Sequence, residues 1–297
     1  MQSPPASSGN TTAQFLSFMN TIYWGSVVST VLFGVSICQG YFYFSNYNDR
    51  PAVKVCVTFL LFLDISSTIV WTIGLHQNLI RSWRITTSLA SEIPFMASES
   101  VITLILIFLT QMFFARRVYL LDAHRLRLPI IIAIFTLVAL SGGAIRVTFM
   151  STSSFQAIVE RKFKIVNTLE IGSAAVSDMV ATLAMCFKFV ETAMDTRRMT
   201  SLLRRMMIYT VNRGIVVTLV QILTLALYFS APLGLNWVPF HMCVGKLYVN
   251  TFLAMLNARK RLRSNAGFTN PSECIEKSSP LVAMQGVLDS TDEGTAA

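Results

Sequence analysis

The chain has 297 residues, of which 53% are hydrophobic and only 13% charged, and it carries a net charge of +9. With a mean hydropathy of +0.57, this composition excludes an ordinary soluble domain and places the chain among integral membrane proteins. The basic residues sit beside apolar stretches rather than on one soluble face, which argues against a nucleic-acid partner and makes them a topology signal.

Residues 1–23 are polar and rich in Ser, Thr and Pro, and they are read as an extracellular N-terminus in which Asn10-Thr11-Thr12 forms an acceptor sequon for N-glycosylation. This stretch lacks the basic start and apolar core of a cleaved signal, so the first span is expected to act as an uncleaved anchor. Seven apolar stretches follow, at about 24–44, 52–75, 93–114, 128–147, 169–190, 207–229 and 238–256. Each is close to the length of about 20 residues that crosses a hydrocarbon core of about 30 Å. The last, within WVPFHMCVGKLYVNTFLAMLNARKRLR at 237–263, runs into Arg259, Lys260, Arg261 and Arg263, a basic cluster that marks the cytoplasmic side. Counted over the connecting segments, seventeen Lys and Arg fall inside and six outside. Residues 264–297 show little periodicity and are read as a disordered cytoplasmic tail. The fold class is therefore an all-α integral membrane protein. It is predicted to be a bundle of seven transmembrane helices spanning residues 24–263, with the N-terminus outside and the C-terminus inside, in the plasma membrane. Cys38, Cys56, Cys186 and Cys243 lie in apolar stretches and Cys274 in the tail, so no structural disulfide is expected.

Within the spans, ionisable residues are costly and so mark candidate sites. Asp64, Glu99, Asp178, Lys246 and Asn250 form the candidate intramembrane network, and Lys246, Asn250 and Asn257 fall on one face of the seventh helix at about 100° per residue. Asp64, Asp178 and Lys246 come out at similar depths when residues are counted from the predicted span ends. Lys246 is therefore expected to be charged and paired with Asp64 or Asp178. The functional reading of the polar stripes is a cavity for a small-molecule ligand or an ion; the competing one is that Ser, Thr, Asn and Gln join helices to one another. On the inner side, Arg197, Arg198, Arg204 and Arg205 make a basic cluster suited to anionic lipid head groups or a cytosolic partner.

Several separated motifs carry a family resemblance. They are Ser177-Asp178, the run Ile208-Tyr209-Thr210-Val211-Asn212-Arg213-Gly214, Gly245-Lys246-Leu247-Tyr248-Val249-Asn250 and Leu256-Asn257-Ala258-Arg259, with Tyr41-Phe42-Tyr43-Phe44, Leu63-Asp64 and Gln111-Met112-Phe113-Phe114-Ala115-Arg116-Arg117 upstream. From about 174 to 262 the chain resembles fungal, mainly basidiomycete, membrane proteins grouped under domain of unknown function 6534. The resemblance implies a seven-span protein and assigns no activity.

An enzyme is not expected, and neither catalytic residues nor a metal site is read from the chain. The three histidines, His76, His124 and His241, fall on different sides, and no Gly-x-Ser-x-Gly elbow, P-loop or His-Glu-x-x-His motif is present. Lys246 in a seventh helix raises a retinal Schiff base, but Gly245 and Leu247 flank it in a context that follows the family above, so no cofactor is expected. The leading expectation is a receptor-like sensor with a polar intramembrane cavity, and the alternative is a transporter or channel using the intramembrane charges.

Overall fold

The computed structural model describes residues 7–77, 93–122, 125–152, 160–195, 200–230 and 236–267. Those residues are all-helical and form seven helices: α1 Ser7–Asn46, α2 Pro51–His76, α3 Ile93–Leu121, α4 Arg127–Thr152, α5 Arg161–Asp195, α6 Thr200–Ser230 and α7 Val238–Gly267. The chain divides into two units, Met1–Ala258 and Arg259–Ala297, and the bundle lies in the first.

Helices α1 to α6 are long and apolar enough to cross a membrane. Their outward faces agree with that: Ile130, Ile134 and Leu137 on α4, Met179 and Leu183 on α5, and Ile215, Leu219 and Ile222 on α6 stand exposed. A protein in water would bury such bands, whereas lipid chains contact them as readily as other side chains would. The fold class is thus a helical, membrane-embedded bundle.

α7 departs from the expectation that it is one of seven apolar spans. It falls outside the set of helices apolar enough to cross, because Pro239, His241, Lys246, Asn250 and Asn257 interrupt its apolar residues. Its position explains this composition. No residue from 237 to 258 is exposed, so α7 is enclosed by other helices and its polar groups answer to protein rather than to lipid. α3 is similarly placed, with no exposed residue from 102 to 115.

Several boundaries also differ from the sequence reading. α1 begins at Ser7, so Asn10 sits on a helix rather than in an irregular polar segment, and the apolar part of α1 starts at Met19. α5 begins at Arg161, which turns the last part of the expected outer loop, with Lys162 and Lys164, into its first turn. α6 begins at Thr200, two turns before the expected span, so Arg204 and Arg205 lie on helical backbone. Arg197 and Arg198 fall outside the described residues. α7 continues to Gly267, beyond the expected start of a disordered tail, and residues 268–297 fall outside the description. Each extension adds polar residues to an apolar core. A helix needs only continued backbone hydrogen bonding to go on past the apolar window, so hydropathy underestimates its length.

Glycines set the closest approaches around α7. A Cβ on Gly25 would come within 2.7 Å of Pro239 Cβ, and one on Gly245 within 3.0 Å of Thr103 Oγ1. The same holds between α5 and α6, where a Cβ on Gly214 would lie 2.4 Å from Thr182 Oγ1. Small residues at these crossings let neighbouring backbones approach, which is what binds helices in lipid, where no hydrophobic effect drives them together.

Candidate functional site

The buried charges gather into three tiers around α7. The helix presents polar groups in two directions, because Lys246 and Tyr248 are two residues apart and so about 200° apart on the helical wheel. Lys246, Asn250 and Asn257 face α1 and α2, and Tyr248 faces α5 and α6.

In the first middle cluster the Lys246 ammonium lies 2.8 Å from Asp64 Oδ1, with both side chains essentially inaccessible. It also donates to the Asp64 carbonyl at 2.7 Å and to Thr68 Oγ1 at 2.6 Å. One turn of α2 thus supplies both hydrogen-bond acceptors and the counter-ion of the ammonium, and the Phe33 ring lies 5.3 Å from Nζ. One turn further along α7, the Asn250 amide donates to the Leu32 carbonyl at 2.8 Å, and its Oδ1 accepts from Ser36 at 3.1 Å. Asn257 repeats the pattern by donating to the Gln39 carbonyl at 2.9 Å. These asparagines lock α7 to α1 through backbone carbonyls, and the uncharged part of the stripe joins helices rather than lining an open polar cavity.

Asp178 has a different partner from the one considered for it. Its Oδ1 accepts from Arg213 Nη2 at 3.0 Å, and its Oδ2 accepts a short hydrogen bond from the Tyr248 hydroxyl. That hydroxyl in turn accepts from Gln221 Nε2 at 2.9 Å and from Gln111 Nε2 at 3.5 Å. The Arg213 guanidinium is stacked over Phe114, 3.5 Å from the ring centroid. α3, α5, α6 and α7 all contribute to this cluster, which gathers the residue types a buried ion pair needs to be tolerated.

A second tier lies where α3, α5 and α7 begin and α4 ends. Arg146 makes a bidentate pair with Glu170, Nε to Oε2 at 2.5 Å and Nη2 to Oε1 at 3.1 Å, and its Nη1 donates to Ser100 Oγ at 3.3 Å. Gly142 and Gly143 make room for it: a Cβ on Gly142 would lie 3.3 Å from Glu170 N, and one on Gly143 3.1 Å from Glu170 Cδ. Glu99 accepts from Thr103 at 2.5 Å and lies 3.5 Å from His241 Nε2. At the opposite end, Lys188 reaches Asp122 at 2.7 Å and Glu191 at 2.6 Å.

Three residues of this network were hidden in the sequence. Arg146 and Arg213 fall within the expected spans 128–147 and 207–229 but count there with the basic residues of the outer and inner segments, yet both are buried inside helices, and Tyr248 reads as an ordinary span residue. Removing both arginines from the Lys and Arg count lowers each side by one and leaves its bias intact. The signal that could have found Arg146 is its place inside a long apolar run; Arg213 directly precedes another.

A crevice of about 480 Å³ opens between α1 and α2, with Tyr23, Ser26 and Val31 on one wall, Thr68 and Trp71 on the other and Met242 of α7 at its floor. Thr68 joins this space to the Lys246 cluster. The Trp71 indole N–H and the Ser26 hydroxyl are buried and have no hydrogen-bond partner among the described residues. No group of His, Cys, Asp and Glu among those residues has the arrangement of a metal site.

Fold and charge network together define a multi-pass membrane protein with a closed, charge-paired interior. Residues 174–261, which hold Asp178, Arg213, Lys246 and Tyr248, match a family of unknown function, DUF6534. No curated protein and no solved structure matches the chain.

Proposed function

We propose that this chain is a receptor-like sensor of seven transmembrane helices in the plasma membrane, with α7 as the seventh span, the N-terminus outside and the C-terminus inside. The observation that carries the reading is the pairing of the buried charges. Asp64, Asp178 and Glu170 each have a cation in direct contact. An ion or charged solute would have to break such a pair, at a cost of several kcal/mol, to find a binding group. What stays accessible is the largely apolar α1–α2 crevice, whose size is within the roughly 300–1,000 Å³ of small-molecule sites. Its unpaired Trp71 and Ser26 groups suit an uncharged, mostly apolar ligand with a hydrogen-bond acceptor. Occupancy there would act on Thr68 and so on the anchor that holds α2 to α7, and a cytosolic partner would read the resulting shift at the inner helix ends.

Reconstituted into liposomes, the full chain is expected to carry no solute-dependent current or uptake, and either one would overturn the sensor. Uncharged amphiphiles that raise the melting temperature of the wild type should lose that effect in Ser26→Leu, which fills the crevice. Protease digestion of intact cells should spare a C-terminal tag, and cleavage from outside would overturn the orientation. A transporter is the second reading, favoured by Arg213 Nε and Nη1, which are buried without hydrogen-bond partners among the described residues.

A further inference from the structure

A second groove of about 550 Å³ lies on the surface along α4 and α5, with Phe229 of α6 also in its lining. Its walls are apolar: Phe135 and Val138 come from α4, and Ile165, Leu169 and Val176 from α5. Gly172 lies along its length, and a Cβ built there would meet nothing within 4 Å. This glycine therefore serves no close helix crossing, unlike Gly214 or Gly143, and its missing side chain leaves space. At the first turn of α5, Arg161 and Lys164 line the same groove, three residues apart and so on one face of the helix. Neither makes an ion pair among the described residues, whereas Arg146, Lys188, Arg213 and Lys246 are each matched to an acid.

We propose that this groove holds an acidic phospholipid from the leaflet in which α5 begins, the outer one in the orientation proposed above. An acyl chain lies along Leu169, Gly172 and Val176, and the phosphate sits on Arg161 and Lys164. The shape fits an amphiphile, apolar along the spanning part of α5 and cationic where α5 leaves it. The charge fits an anion, since two unpaired cations at a membrane surface gain most from a negative head group held by the same lipid whose chain fills the space. The site is distinct from the α1–α2 crevice and does not depend on a sensing role.

The test uses the full chain in detergent, titrated with phosphatidylglycerol or with phosphatidylcholine of the same acyl chains, and bound lipid is counted by native mass spectrometry. Wild type should retain phosphatidylglycerol in preference to phosphatidylcholine. Arg161→Gln with Lys164→Gln should weaken phosphatidylglycerol binding by roughly tenfold to thirtyfold, the loss expected from about 1 kcal/mol per basic residue, and leave phosphatidylcholine unchanged. Gly172→Leu should fold normally, because there is space for its side chain, and should reduce binding of both lipids. Equal retention of the two lipids by the wild type would mean ordinary annular lipid and would overturn the proposal. So would undiminished phosphatidylglycerol binding in the double variant, which would put the acidic lipid at another basic cluster such as that of Arg204 and Arg205.

Discussion

α4 and α7 have similar lengths, yet they answer to different surroundings. α4 is the most apolar of the candidate spans and turns Ile130, Ile134, Leu137 and Ile145 outward. α7 carries Lys246, Tyr248 and Asn250, is not apolar enough to qualify as a span, and exposes nothing between Val238 and Ala258. Lipid contact requires an apolar surface, whereas enclosure permits a polar one without requiring it, since α3 is enclosed and still apolar enough to span. A helix wholly enclosed by others can be as polar as its neighbours can match, because each polar group has a partner in place of water. α4 makes the same point with its own exception, Arg146, which lies on its inward face and is matched by Glu170.

If that contrast is right, the largest losses should come from breaking a pair that α7 helps to enclose. Arg213→Met removes the cation that faces Asp178 and should cost about 3–5 kcal/mol, the range for a buried charge left without its partner. Thermal unfolding in detergent would register this, and a cost near that of a surface replacement would show that the cluster is open to water.

Lys246→Met should cost about 3 kcal/mol on the same grounds, and it sharpens the comparison through its couplings. A double-mutant cycle with Asp64→Asn should show an interaction of about 1–3 kcal/mol, whereas the cycle with Asp178→Asn should be additive within about 0.5 kcal/mol. The reverse result would assign Lys246 to the other acid.

Glycines give a smaller test of inside against outside. Gly214→Ala must displace Thr182 and should destabilise by about 1–3 kcal/mol. Gly34→Ala, where a Cβ meets nothing, should be neutral or stabilise by up to about 1 kcal/mol through helix propensity. Equal effects in melting temperature would contradict the packing around α6. The smallest change is expected on the lipid face of α4, where Ile134→Val should stay within about 0.5 kcal/mol because lipid fills the lost volume.

How much of this was legible depends on the residue. Lys246 was conspicuous, since a charge inside a span must have a reason, and its rise along the helix put it level with both Asp64 and Asp178. Depth alone could not choose between them. Arg213 stayed hidden because it lies only six residues into the expected span at 207–229, close enough to the basic segment before it to read as one of the flanking charges. Glu99 was marked as buried, but its neighbour His241 lies 142 residues away in sequence and no local pattern links them.

The sequence by itself determined that the chain is helical and membrane-embedded, since apolar runs of about 20 residues have no other stable home and local hydrogen bonding completes each helix. It also marked Asp64, Glu99, Asp178 and Lys246 as costly enough to need partners. Only the tertiary structure decided which partners those are and that α7 stands inside the ring of lipid-facing helices. Pairing depends on the rotation of each helix about its own axis, and that rotation is set by contacts between residues far apart in the chain, such as Gly25 against Pro239 and Gly214 against Thr182.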